Sequence, residues 1–183
     1  MLVDHQIINE CRGRMLVWPF RESAVQPASI DLRLSHDFRY YLSHEITEVD
    51  LADIPEGLTE KIEVLERFVL QPGEFVLGST YESVNIPIDI VGRIEGNSSL
   101  GRLGLTAHVT AGFLGPGFCG NVTLELANLA PMAIVLRPMY DICQLSFEYL
   151  DPTPDKPYQG RYQDAMGTEE SRYGKEVSHG SRQ

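Results

Sequence analysis

The sequence is poor in features that would each point to a particular chemistry. It has three cysteines, Cys11, Cys119 and Cys143, an odd number set far apart. No Cys-x-x-Cys occurs, nor a His-x-Glu followed by Pro-Cys-x-x-Cys, so neither a zinc site nor a disulfide framework is expected. Buried free thiols are the simpler reading. No apolar run approaches the length that spans a bilayer, so no membrane segment is expected. The start, Met1-Leu2-Val3-Asp4-His5, has no basic stretch leading into an apolar one. No signal peptide is therefore expected, and a cytoplasmic location is. Positive charge is scarce too: 15 Lys and Arg against 26 Asp and Glu leave a net charge of −11. Such a chain cannot neutralise a long run of phosphates, which argues against a nucleic-acid partner. A small anion is a different matter. One Arg, a few backbone N–H groups and a bound Mg²⁺ can hold a triphosphate inside an acidic protein.

What is present suits one domain with a real core: 183 residues, 43% of them hydrophobic. Residues 3–12 predict a short helix, with Asp4 as its cap, Ile7, Ile8 and Cys11 on one face, and Gly13 as its stop. Most of the rest reads as strand. Ser29–Leu34 alternates polar and apolar, and Phe38–Leu42 is aromatic and extended. Residues 43–60 are acidic and polar and predict a loop. Strands are expected again at 66–70, 74–79, 82–86, 89–95, 121–128, 132–136 and 142–150, with Pro or Gly punctuation between several of them. Many short strands with regular turns predict an all-β sandwich, barrel or jelly roll. Residues 98–103 form a helix-like insertion. Residues 166–183 predict a polar, mobile tail beyond a domain of residues 1–165.

Three stretches carry candidate chemistry. In Gly96-Asn97-Ser98-Ser99-Leu100-Gly101-Arg102-Leu103-Gly104, small hydroxyl residues enter a short helix and Arg102 lies one turn on from Ser98. That is either a phosphate cradle or a capped turn with an exposed Arg. The stretch from His108 to Phe118 runs into a Gly/Pro-rich turn, which either presents backbone groups to a base or is a simple β-turn. Glu125 sits in Asn121-Val122-Thr123-Leu124-Glu125-Leu126-Ala127-Asn128, where Val122, Leu124 and Leu126 point one way and Thr123, Glu125 and Ala127 the other. A carboxylate there is either a solvent-facing strand residue or a partly buried group suited to moving protons.

Together these stretches resemble the deoxycytidine triphosphate deaminase family of the trimeric dUTPase superfamily. The resemblance rests on Ser98 to Leu105, His108 to Phe113, Pro116-Gly117-Phe118, Thr123-Leu124-Glu125-Leu126 and Gln144-Leu145-Ser146-Phe147. Gln26 to Leu34 and Leu70 to Thr80 match as well, and the likeness spans roughly residues 1–165. It implies a homotrimer of distorted β jelly rolls with short helices, sites at subunit interfaces, and Mg²⁺ bound through the substrate triphosphate. It implies zinc-independent deamination of dCTP to dUTP and ammonia. Glu125 would move protons between water, ring and leaving group, and Ser98 and Arg102 would help hold the water, the base and Glu125. By family position, Asn97, Ser99, Leu100, Gly101, Thr110, Ala111, Gly115, Thr123, Leu124, Gln144, Tyr158 and Arg161 would bind substrate.

Three positions depart from the family's pattern. Asn97 stands where Arg or Lys is usual, Arg161 where Lys is usual, and Gly115 where an Asp is common. That Asp meets the sugar 3′-hydroxyl and, in dUTPases, orients the hydrolytic water. Its loss favours a reaction that stops at dUTP. Wording such as Thr110-Ala111-Gly112-Phe113 favours the bifunctional branch, which goes on to dUMP and diphosphate. A variant acting on a modified or different deoxycytidine nucleotide also fits. So does, from another class, a catalytically silent nucleotide-binding or regulatory protein. Glu125→Gln is expected to abolish deamination and leave the fold intact, read by dCTP turnover beside circular dichroism. Retained turnover would remove Glu125 from the chemistry.

Overall fold

A computed structural model describes residues 1–173. The first element, α1 (Asp4–Arg14), starts one residue later than expected and is capped differently. Val3 is its N-cap, and the Gln6 side chain accepts the Val3 N–H at 3.0 Å. Asp4 spends its carboxylate on the His5 N–H instead, at 2.7 Å. The helix also runs through Gly13 and ends with Met15 in a left-handed conformation, φ 52. Arg14 holds that last turn by pairing with Glu10 and, at 2.6 Å, with Asp89. Ile7 and Cys11 are buried as the pattern required, while Ile8 is half-buried.

The body is mostly β, as expected. Its strands are β1 (Val17–Trp18), β2 (Val25–Gln26), β3 (Ser29–Tyr41), β4 (Thr59–Glu63), β5 (Phe68–Leu70), β6 (Phe75–Asn85), β7 (Ile90–Gly96), β8 (Leu105–Thr106), β9 (Phe113–Leu114), β10 (Cys119–Asn128), β11 (Ile134–Leu136) and β12 (Asp141–Tyr149). The helical turn α2 (Ser98–Gly101) lies between β7 and β8. One curled antiparallel sheet has the order β8-β10-β6-β3-β12-β7-β9, with β1 on β6 and both β2 and β4 on β3. A separate pair joins β11 to β5. The architecture is all-β, as the strand pattern predicts, and is the distorted jelly roll that the family resemblance implies.

Two expected strand pairs are each a single bent strand. Residues 29–34 and 38–42 merge into β3, whose first part pairs with β12 and whose last part pairs with β4. Its register against β6 shifts between Leu34 and Phe38. A bulge of this kind lets one strand turn a corner of the sheet. Residues 74–79 and 82–86 likewise merge into β6. At its irregularity the Asn121 side chain donates to the carbonyls of Thr80 and Glu82, at 3.0 and 3.2 Å. The Thr80 hydroxyl accepts the Val122 N–H at 3.0 Å. Side chains thus replace the missing ladder bonds. The expected loop at 43–60 gives way at its end to β4, which begins at Thr59.

The core is continuous and contains Leu32, Phe38, Leu124, Leu126, Leu145 and Phe147. Cys11 and Cys143 are buried, Cys119 is half-buried, and all three are free. Burial pushes the Cys11 thiol up to about 11 and the Cys143 thiol higher still. Among the described residues no helix is long and apolar enough to cross a membrane.

The expected tail is the largest departure. Its residues 167–169 dock onto the sheet, and the remainder from 174 to 183 lies outside the described residues. Gly167 N–H donates to Asn121 Oδ1 at 3.0 Å, and Glu169 N–H to Thr123 Oγ1 at 3.0 Å. Thr168 is 2% exposed and its hydroxyl donates to Asp37 O at 2.6 Å. Gly167 has φ +78, and a Cβ there would lie 2.0 Å from Asp37 Oδ2. Gly167→Ala therefore meets both strain and a clash, worth roughly 1–3 kcal/mol for the conformation alone. Limited proteolysis should cut the variant C-terminal to residue 165 before the body is attacked; a wild-type cleavage pattern would contradict the docking.

Candidate functional site

The site begins with the alternation of β10. Val122, Leu124 and Leu126 are buried, while Thr123, Glu125 and Ala127 are half-buried on the opposite face. That face forms one wall of a cavity of about 360 Å³. Ligand pockets usually fall between about 300 and 1,000 Å³, so this one is of nucleoside scale. Tyr41 from the end of β3 and Phe75 from the start of β6 form a second wall, their rings tilted at 5.6 Å. Gly115, Phe118 and Tyr158 form a third, with Phe118 and Tyr158 edge-to-face at 5.7 Å. Glu169, Glu170 and Ser171 of the docked C-terminal segment close the fourth.

Glu125 is fixed rather than loose. Its Oε2 accepts the Val109 N–H at 2.8 Å. Its backbone carbonyl accepts the Thr106 hydroxyl at 3.3 Å, which in turn accepts the Ala127 N–H at 3.2 Å. One carboxylate oxygen is thus anchored to the hairpin entry and the other is left for a ligand or water. Three carboxylates, Glu125, Glu169 and Glu170, line the cavity, and among the described residues no Arg or Lys does; Glu169 pairs with Arg172 at 2.6 Å. Glu170 is tied back by the Thr59 hydroxyl at 3.1 Å and by Arg39 at 3.7 Å. Burial, followed by the charges of Glu125 and Glu170, raises the Tyr41 phenol above its usual value. Tyr41 therefore remains a neutral O–H donor at neutral pH.

The structure divides the sequence-predicted residues into separate groups. Glu125, Ala111, Gly115, Thr123 and Tyr158 come together in the cavity. Ser98, Ser99, Gly101 and Arg102 lie exposed on the α2 turn, and none of them lines it. Asn97 is the N-cap of that turn, its Oδ1 accepting the Ser99 N–H at 2.9 Å. That accounts for a cap residue where the family carries a cation. Leu100 is half-buried and packs against the core, and Thr110 is exposed at the hairpin entry. Leu124 is fully buried on the core face of β10, so its side chain faces away from the cavity. The Gln144 amide is taken up by Ser29 and Gly96. Arg161 is exposed, and its carbonyl accepts from Arg172. Within one chain, then, the expected trio of Ser98, Arg102 and Glu125 is not assembled.

Sequence reasoning missed Tyr41, Phe75, Tyr162, Glu169 and Glu170 as cavity residues. The aromatic extended run ending near Tyr41 held part of that signal. Glu169 and Glu170 had none, since their polar surroundings read as tail. Among the described residues no cluster of three or more His, Cys, Asp or Glu is placed to hold a metal.

Comparison with known proteins gives a consistent result. The family described as dCTP deaminase-like matches residues 1–150. A protein of Beutenbergia cavernae named dCTP deaminase, dUMP-forming, is 47% identical over 180 residues, covering 94% of each chain. The protein of the same name from Leifsonia xyli is 46% identical over 94% of this chain and 90% of its own. That from Pseudarthrobacter chlorophenolicus is 50% identical over 81% of this chain and 80% of its own. Among solved structures, a 2′-deoxycytidine 5′-triphosphate deaminase from Agrobacterium tumefaciens shares the fold, with a TM-score of 0.64 at 21% identity over 81% of this chain. The chain spans about half of that structure's length, 47%. The match along most of its length shows that the chain belongs to the dCTP deaminase-like family.

Proposed function

We propose that this protein deaminates the cytosine of dCTP and carries the product on to dUMP and diphosphate. The observation that supports the first step is the Glu125 carboxylate, anchored on one oxygen by the Val109 N–H inside a cavity of nucleoside size. The free oxygen takes a proton from water as that water attacks C4 of cytosine. The carboxyl gives that proton to N3, which leaves a tetrahedral adduct; it then takes the proton of the new C4 hydroxyl and hands it to the amine, which departs as ammonia while a carbonyl forms at C4 and N3 keeps its hydrogen. Tyr41 and Thr123 offer hydroxyl groups on the same walls to orient the base or the water. The second step adds water across the α–β phosphate linkage of dUTP. Its support is the shared name of relatives at 46–50% identity, all dUMP-forming.

Among the described residues no Arg or Lys lines the cavity, while Ser98 and Arg102 stand exposed on α2. Both facts fit a homotrimer in which α2 of one copy completes the cavity of the next. Arg102 then brings positive charge to an acidic site. Mg²⁺ carried in on the triphosphate would offset its charge against Glu169 and Glu170.

One observation favours a reaction that stops at dUTP: Gly115 offers no carboxylate to orient a second water. The space for one exists, because a Cβ at 115 would meet the Tyr158 Cβ only at 3.7 Å. Incubation with dCTP, with products separated by chromatography, decides between the readings. dUMP with diphosphate supports the two-step reaction, and dUTP accumulation supports the single step. No turnover of dCTP, dCMP or a modified deoxycytidine nucleotide would leave a silent binding protein. If the reaction stops at dUTP, Gly115→Asp should raise dUMP formation by about a hundredfold, the lower end of general-base effects. An unchanged product ratio would show that position 115 does not choose the product.

A further inference from the structure

Behind α2 lies a hydrogen-bond relay that ties it to the sheet. Ser29 is 8% exposed at the start of β3, and its hydroxyl donates to Gln144 Oε1 at 2.7 Å. Gln144 lies on β12, paired with Asp31 of β3 on one side and Glu95 of β7 on the other. Its Nε2 donates to Gly96 O at 3.3 Å. Gly96 ends β7 and directly precedes Asn97, the N-cap of α2. The donor directions are forced. A backbone carbonyl only accepts, so Gln144 must turn its NH₂ towards Gly96. Its oxygen then faces Ser29, whose hydroxyl must donate.

We propose that Ser29 is a positioning residue that fixes the Gln144 amide, which in turn holds the Gly96 carbonyl and sets where α2 leaves the sheet. The consequence for turnover rests on the deaminase reading, in which α2 presents Ser98 and Arg102. The consequence for backbone order does not. Without the Ser29 donor the Gln144 amide is free to flip, and in the flipped state its oxygen opposes Gly96 O. The α2 turn is only four residues long and carries its exposed side chains on few internal bonds. It therefore depends on how its entry is anchored.

Hydrogen–deuterium exchange and kinetics on the full chain test this. Ser29→Ala and Gln144→Glu should each speed amide exchange across residues 97–104 by about fivefold or more, the size of one lost hydrogen bond. Gln144→Glu keeps the shape but sets an oxygen against Gly96 O. The Ser29→Ala/Gln144→Glu double variant should be no faster than the quicker single, since both act on one relay. With dCTP, Ser29→Ala should lower kcat with KM held within about twofold, and melting should shift by only a few degrees. Unchanged exchange at 97–104 in both single variants overturns the positioning role whatever the activity. So do additive effects, or a rise in the KM for dCTP with exchange unaltered, which would make Gln144 a phosphate ligand instead. A wild type inert towards cytosine nucleotides would remove the proposed reaction, and the exchange result would still decide the relay.

Discussion

Everything at the site depends on β10 keeping its register. Val122, Leu124 and Leu126 are buried on one face of that strand. Burying side chains of this size is worth about 1.5–3 kcal/mol each, so the face they occupy is not negotiable. The strand alternates with period two, and Glu125 must therefore lie on the other face, between two residues that cannot leave the core. A slip of one residue would put three apolar side chains in the cavity and a carboxylate in the core. The bonds that Asn121 and Val122 donate to Thr80 at the β6 irregularity hold the strand against such a slip. Glu125 thus gains its position from apolar neighbours on the other face of the strand.

The same geometry sets an electrostatic problem. Three carboxylates face one cavity, in a chain whose net charge is −11. An anionic ligand enters such a space only with positive charge brought from elsewhere. Arg102 lies exposed on a surface turn and does not line that cavity.

Parts of this were legible in the sequence and parts were not. The face of β10 and the outward placement of Glu125 followed from a period-two pattern that core burial enforces. The Gly- and Ser-rich turn at 96–104 was legible as a motif, but its spatial relation to Glu125 was not. Residues 23 positions apart carry no local record of the distance between them. The bends of β3 and β6 read as gaps between strands, because polar bulge residues resemble turns. The C-terminal segment was misread for a related reason. Thr168 is held by a carbonyl 131 positions earlier, and no short window of sequence can contain that partner.

That long-range anchoring bears on synthesis. The residues around the cavity run from Tyr41 to Ser171, and the last of them lie close to the end of the described residues. Chains emerge from the ribosome N-terminus first, and contacts between distant residues form late. The sheet can assemble around β3, β6 and β10 while the final segment is still being made. During that interval Tyr41, Phe75 and Glu125 stand open to solvent with one wall missing. The pocket is thus completed only once the chain has been made as far as Ser171, which couples the closing of its last wall to a late step of synthesis.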